Sequence, residues 1–315
     1  MTTIAQGITT ATSPQPYCRT ALDRWRTLAH SRLNAVFETA KEVYFDDLSR
    51  IVFFSDCHRG DNSRADLFAR NEELFLHALT HYYRQGFMYV EVGDGDELWQ
   101  NRRFSRVRRA HRRTFDLLHR FERRNRLHLI VGNHDIGTDC HGCVEKDGIV
   151  AREGLVLRHA RTGQRIFVVH GHQADFVSDQ LIPMARFLVR YVRKPLQLLG
   201  LANGTVWGDN AQEQPRIEQA VIKWFQAQTR RIEQRIIDWV QTHRQVIVCG
   251  HTHRPVCPPP GAPPYFNAGS CMYPGYITGL ELQRGEIVLI RWSVRPGRSS
   301  CIERELLAPP RRLVG

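Results

Sequence analysis

The chain has 315 residues, enough for one large domain or one domain carrying an insertion, and 42% of them are hydrophobic. No run approaches the roughly 20 apolar residues needed to cross a bilayer. With 44 basic against 32 acidic residues the formal charge is +12 and the pI about 9.7, so an affinity for anions is expected.

The opening stretch, MTTIAQGITTATSPQPYC, lacks the basic and apolar regions of a secretory signal. It predicts a polar leader, with a cytoplasmic location as the default. Eight cysteines in a large chain with no export signal are expected to be reduced thiols. ALDRWRTLAHSRLNAVFETA then reads as a helix.

From residue 50 one event repeats: a short β-prone apolar run stops, and Asp, Asn or His follows at once. It occurs first in RIVFFSDCH. After the amphipathic helical stretch ADLFARNEELFLHALTHYYRQG it returns in FMYVEVGD, which leads into GDGDELW. There Asp94, Asp96 and Glu97 crowd into four positions, which cations or hydrogen bonds must relieve. The next stretch holds eleven arginines between Arg102 and Arg126. Its Phe104, Val107, Phe115, Leu118 and Phe121 recur at helical intervals, so one helix with a packed face and a solvated charged face is predicted. The functional alternatives for that face are attraction of phosphates, of nucleic acid or of an anionic membrane.

The event recurs in LHLIVGNHD, RIFVVHGH and QVIVCGHTH. The lone CHGC at 140–143 reads as loop residues rather than as a zinc or redox motif. Between the last two runs, FVSDQLIPMARFLVRYVRKPLQLLGL is basic and amphipathic, fit to cap an apolar cavity or lie on an anionic membrane. RIEQAVIKWFQAQTRRIEQRIIDWVQTHR predicts a long packed helix. YITGLEL and EIVLIRWSV predict two strands joined by a glycine-containing turn, and RPGRSSCIERELLAPPRRLVG a surface tail.

Alternation of strands and helices argues for βαβ units in a layered α/β fold, where ligands gather beyond the carboxyl ends of the strands. Asp56, His58, Asp94, Asn133, His170, His251 and His253 would converge there. Mixed carboxylate and imidazole donors suit zinc, manganese or iron better than calcium. Seven ligands exceed one tetrahedral site and suit two neighbouring metals that share a carboxylate, a recurring device of phosphoester hydrolysis.

In this order DCH, GD, GNHD, HGH and GHTH resemble the signature of the calcineurin-like metallophosphoesterases, D-x-H, G-D, G-N-H-[DE], H and G-H-x-H. The resemblance covers residues 50 to about 255, and YFNAGS at 265–270 is similar to the strand and turn that follow in that family. It implies a four-layer α/β fold of two packed mixed β-sheets flanked by helices, and two divalent metal ions (Mn, Fe or Zn). Asp56, His58 and His253 would hold one metal, Asn133, His170 and His251 the other, and Asp94 would bridge them. A metal-bridging hydroxide would attack phosphorus. His134 would stabilise or protonate the leaving group, and Asp135 would orient its imidazole. Of the two histidines in HGH, His170 is preferred to His172 because it directly ends the strand.

The layout also resembles a branch of that family, the bacterial UDP-2,3-diacylglucosamine diphosphatases, through Glu97 and Trp99 after the GD and a helical insertion at 176–243. The chain departs from the branch at His134, where an arginine is usual, and at Gly95 and Asp96, where an apolar pair is common. The expected substrate is a phosphodiester or pyrophosphate on a phosphorylated small molecule or lipid-linked group, a UDP-diacylglucosamine-like lipid included. Glu97, Trp99, Arg59 and His172 would touch it. Peripheral contact with an anionic membrane is the expected surface interaction, and nucleic acid is the less favoured partner. The competing classes are a phosphomonoesterase or protein phosphatase, a nuclease, and a non-enzymatic scaffold. The expected organisation is a leader and helix at 1–45, a phosphoesterase domain at 46–296 with its insertion, and a tail at 297–315.

Overall fold

The computed structural model describes residues 21–135, 143–175, 194, 198, 216–295 and 301–313. The ligand-bearing strands are apolar on both faces, and this dictates the layering. In β2 (Arg50–Phe54) Ile51 and Phe53 enter one core, while Val52 and Phe54 enter another. A strand buried on both faces must lie in a sheet covered on both sides.

The nine-stranded sheet carries β2, β3 (Met88–Val92), β4 (Leu127–Ile130) and β6 (Ile149–Arg152) as parallel neighbours. β5 (Cys143–Lys146) closes one edge. At the other, β11 (Tyr276–Gln283) pairs antiparallel with β2, followed by β12 (Glu286–Val294) and β13 (Ile302–Leu306). The five-stranded sheet has the order β1 (Lys41–Phe45), β7 (Gly154–His159), β8 (Arg165–Val169), β9 (Val246–Cys249) and β10 (Tyr265–Asn267). Both sheets are mixed, and Phe53, Val90, Val92, Leu157, Val168, Val248 and Leu280 fill the core between them.

The outer faces take the helices. α2 (Glu72–Arg84), α3 (Phe104–Ala110) and α4 (Arg112–Glu122) cover the larger sheet through Phe75, Leu79, Val107, Leu118 and Phe121. α1 (Ala21–Thr39) and α5 (Arg216–His243) cover the smaller through Leu33, Val36, Ile232, Ile236 and Trp239. The result is the expected α/β sandwich of two mixed sheets flanked by helices. Among the described residues no helix is long and apolar enough to cross a membrane.

The arginine-rich stretch is two helices and not the one predicted. The break falls at His111, fully buried, whose ring sits between Asp66 (2.8 Å) and Glu72 (3.1 Å). Turning that imidazole inward to two carboxylates is incompatible with an unbroken solvent-facing helix. The tail also departs from expectation: β13, and β14 (Arg311–Arg312), pair with β12. β12 offered unpaired backbone groups on that side, and Arg304 anchors β13 by two bonds to the buried Glu281, at 2.7 and 2.6 Å. β1, the edge of the smaller sheet, falls within the segment read as leader and helix, and β5, β6 and β7 had no counterpart in the sequence reading. Cys57, Cys249, Cys257, Cys271 and Cys301 are free thiols. Of CHGC, Cys143 opens β5, and the rest lies outside the described residues, as do residues 1–20 and, apart from Lys194 and Leu198, 176–215.

Candidate metal centre

All five ligand-bearing runs end at the same edge of the two sheets. The turns after β2 and β3 lie side by side, with Asp56 N–H donating to Gly93 O (3.1 Å) and His58 N–H to Asp94 O (2.8 Å). Asp56, His58, Asp94, His251 and His253 all have φ between 49° and 65°. Side-chain-bearing residues enter this left-handed region at a cost on the order of 1 kcal/mol or more. Five in one place mark a site whose geometry the surrounding fold enforces.

Three groups of candidate ligand atoms each lie within 4.8 Å of one another among the described residues: His58 with Glu97 and His134, and, as the two candidate cation sites, Asp56 with His58 and His253, and Asp94 with His170 and His251. Asp94 joins them: its Oδ2 is 3.2 Å from His170 Nε2 and 3.6 Å from His58 Nε2. Gly132 makes room for this carboxylate, since a Cβ there would lie 2.1 Å from Asp94 Oδ1. The other oxygen, Oδ1, accepts the His134 N–H at 2.8 Å.

The donors are buried and under-bonded. Asp56 Oδ1, His58 Nε2, Asn133 Oδ1 and His170 Nε2 have no hydrogen-bond partner. His253 Nε2 approaches Asp56 Oδ1 to 3.0 Å, misaligned for a hydrogen bond. Orphaned buried polar atoms cost free energy unless something fills the space between them. Burial disfavours ionised Asp94, yet the facing imidazoles of His170 and His134 outweigh it and hold the carboxyl well below its usual range. Burial likewise opposes charging of His170, but Asp94 and Asp56 raise it to about 9. A ring of anions and imidazoles that holds protons this tightly suits divalent cations, which displace those protons. The residues present therefore fit a dinuclear centre.

Each sequence-predicted residue has a definite place. Six of the seven ligand candidates fall in these groups, and Asn133 brings a buried Oδ1 with no hydrogen-bond partner. His170, not His172, faces Asp94, and its Nδ1 donates to Val92 O at 2.7 Å, leaving Nε2 toward the carboxylate. His172 lies behind, tilted 5.6 Å from the His170 ring and edge-on 6.4 Å from that of His251, and is buried.

The role expected of Asp135 needs correction. Its carboxylate accepts the N–H of Gly132 (2.9 Å) and of Asp96 (2.8 Å) and pairs with Lys146 Nζ, so it does not hold His134. Glu97 does: His134 Nδ1 lies 2.9 Å from Oε1, and His58 Nδ1 3.0 Å from Oε2. Asp135 follows His134 directly in a tight turn, closed by its N–H to Gly132 O at 3.3 Å, and the two side chains diverge. One carboxylate thus accepts from the Nδ1–H of both His134 and His58, a candidate ligand, leaving their Nε2 atoms free of it. Trp99 stacks on the His134 ring at 3.9 Å and donates its indole N–H to Asn133 O at 2.7 Å. Glu97 and Trp99 are therefore walls behind the histidines, both largely buried, and do not line an open pocket.

Arg59 is fully buried and cannot reach a substrate. Its guanidinium makes two 2.7 Å bonds to Glu91 and one of 2.8 Å to Asp96. Asp96 also faces Lys146 at 3.0 Å, so it belongs to a buried charge network. Sequence reasoning missed Glu91, Lys146 and Asp175, the last 3.1 Å from His251 Nε2. Glu91 carried a signal, a lone charge inside an apolar strand; Lys146 carried none.

The sequence model of the family described as calcineurin-like phosphoesterase matches residues 49–255. A comparison with curated proteins returns no match. Among solved structures, a single mutant of Vps29 from Entamoeba histolytica aligns at 16% identity over 82% of this chain and 99% of its own, with a TM-score of 0.38. Vps29 of Cryptosporidium parvum aligns at 12% over 83% and 98%, with a TM-score of 0.37. A cold-active protein-tyrosine phosphatase of a psychrophilic Shewanella sp. aligns at 15% over 84% and 82%, with a TM-score of 0.38. Scores this low bear on neither substrate nor activity.

Proposed function

This chain belongs to the calcineurin-like phosphoesterases, and on that premise we propose that it hydrolyses a phosphodiester or pyrophosphate bond with two divalent cations. The observation that carries the reading is Asp94, whose Oδ2 lies between two groups of buried, under-bonded ligand atoms. Asp56, His58 and His253 would hold one cation, Asn133, His170 and His251 the other, and Asp94 both. Two cations held by these residues would make a bound water acidic enough to serve as nucleophile near neutral pH.

The chain's own residues do the rest. Glu97 holds the proton on His134 Nδ1 and the Trp99 indole fixes the ring plane, so that in the imidazolium form the Nε2–H is free to donate to the leaving oxygen. Asp135, Lys146, Asp96, Arg59 and Glu91 form a buried lattice beneath the loops that carry Asp94 and His134. The narrower reading, a nucleoside-diphospho-lipid such as a UDP-diacylglucosamine, is supported by Glu97 and Trp99 at their spacing after Asp94. His134, in place of that branch's arginine, speaks against it.

Asp94→Asn is expected to remove most bound manganese and nearly all turnover together, as metal analysis and hydrolysis of a bis-aryl phosphodiester would report. Full activity in that variant would overturn the assignment. A panel with a bis-aryl phosphodiester, an aryl phosphomonoester, UDP-linked acyl sugars and single-stranded nucleic acid decides the bond. Preference for the monoester would sink the diester and pyrophosphate reading, and a wild-type chain that takes up no metal would favour a scaffold.

A further inference from the structure

The loop that carries His251 and His253 is held from outside the matched motifs. Between these two residues, both in the left-handed region, stands the buried Thr252. Its hydroxyl donates to Glu233 Oε1 at 3.2 Å, and Arg254, the next residue after His253, donates to the same oxygen from Nε at 3.0 Å and to Oε2 from Nη2. Glu233 is 3% exposed and sits on α5, one position after Ile232 and three before Ile236, which pack against the smaller sheet. A carboxylate this buried is costly to leave without its hydrogen-bond partners. Two residues further along α5, Arg235 donates to Ala174 O at 2.9 Å, beside Asp175, the partner of His251. The other side of the loop is tied by Asn267, whose amide donates to Gly250 O at 2.7 Å and Thr252 Oγ1 at 3.0 Å.

We propose that Glu233 is a positioning residue through which α5 sets His251 and His253 for cation binding, so that helix docking and metal occupancy are linked. The proposal rests on the dinuclear reading of the site and adds to it a dependence on an element that contributes no ligand. Neither histidine can hold its strained backbone alone, and Glu233 fixes the residue between them. By reciprocity, a cation that immobilises the two imidazoles must also tighten α5 against the loop.

The test uses the full chain and manganese alone, with metal affinity read by competition with a chelator and α5 by amide hydrogen exchange. In the wild-type protein manganese should slow exchange over residues 229–243. Glu233→Gln should weaken manganese binding roughly ten- to a hundredfold, the usual cost of removing a ligand's outer partner, and abolish that slowing. Thr252→Val, which breaks one of the three bonds from the loop to Glu233 and leaves the helix intact, should weaken manganese binding in the same direction by a smaller factor. Gln234→Ala, on the exposed face of α5, should change neither reading. Unaltered manganese affinity in folded Glu233→Gln or Thr252→Val would overturn the proposal while leaving the phosphoesterase reading in place. A wild-type chain that binds no manganese would instead defeat the reading beneath it.

Discussion

Glu97 shows how one side chain can organise two chemistries. Burial opposes its ionisation, but the His134 and His58 imidazoles outweigh that and lower its pKa. A glutamine could accept from one imidazole but would present an amide N–H to the other, forcing that ring into the wrong tautomer. Glu97→Gln is therefore expected to lower kcat roughly a hundredfold at saturating manganese, with KM little changed. Steady-state kinetics alongside metal analysis checks it, and unchanged kcat would return the orienting role to another group. At this scale the sequence pointed to the candidate ligands because a strand end followed at once by Asp or His is visible along the chain. It could not assign the acid that serves His134. Asp135 is adjacent in sequence but faces Lys146, while Glu97 comes from another loop, and only the fold brings it within hydrogen-bond reach.

At the scale of elements, buried charge decides how the loops and helices lock. Arg59 of the β2 loop, Glu91 of β3, Asp96 of the β3 loop and Lys146 of β5 form one network in which burial opposes ionised Asp96, yet Arg59 and Lys146 lower it to about 2. Arg59→Met would strand Glu91 and part of Asp96 without a counter-charge, and should destabilise the fold by about 3–5 kcal/mol in denaturant melts. His111 does similar work between Asp66 of a loop and Glu72 of α2. Burial lowers its pKa, but the two carboxylates outweigh that and raise it to about 9. A raised folded-state value gives stability that is fully present below about pH 6.5 and is lost as the pH climbs through about 9. The His111 contribution is on the order of 3 kcal/mol, and the difference between wild-type and His111→Gln melts should shrink across that window. A constant difference would show that His111 is neutral in the folded protein. The ligand-bearing strands were legible because they are continuous apolar runs. The His111 break was not, since histidine in an arginine-rich stretch looks like one more polar residue, and β13 owes its form to the open edge of β12.

For the molecule as a whole, the proposed cations would compete with protons for one set of imidazoles. His170 near 9 must lose its proton to serve as a ligand, so apparent manganese affinity should strengthen as the pH rises toward 9. Cation that binds only the folded chain should stabilise it by about 2.7 kcal/mol per site at a hundredfold excess over Kd. Thermal melts with manganese and with chelator, at pH 6.5 and 8.5, should show the larger metal-induced shift at the higher pH. An equal or reversed shift would place the binding atoms elsewhere.

The sequence by itself determined the layered α/β class, the strand ends where ligands gather, and the choice of imidazole and carboxylate as donors. These follow from local periodicity and residue chemistry, which a linear chain displays. Only the tertiary structure decided that Asp94 lies between the two ligand groups, that Glu97 and not Asp135 holds His134, that Arg59 is a buried ion-pair partner, and that α5 reaches the histidine loop through Glu233. Each depends on which side chains from distant segments meet in a low-dielectric interior, where an unpaired charge is costly and the fold, not the sequence neighbour, supplies its partner.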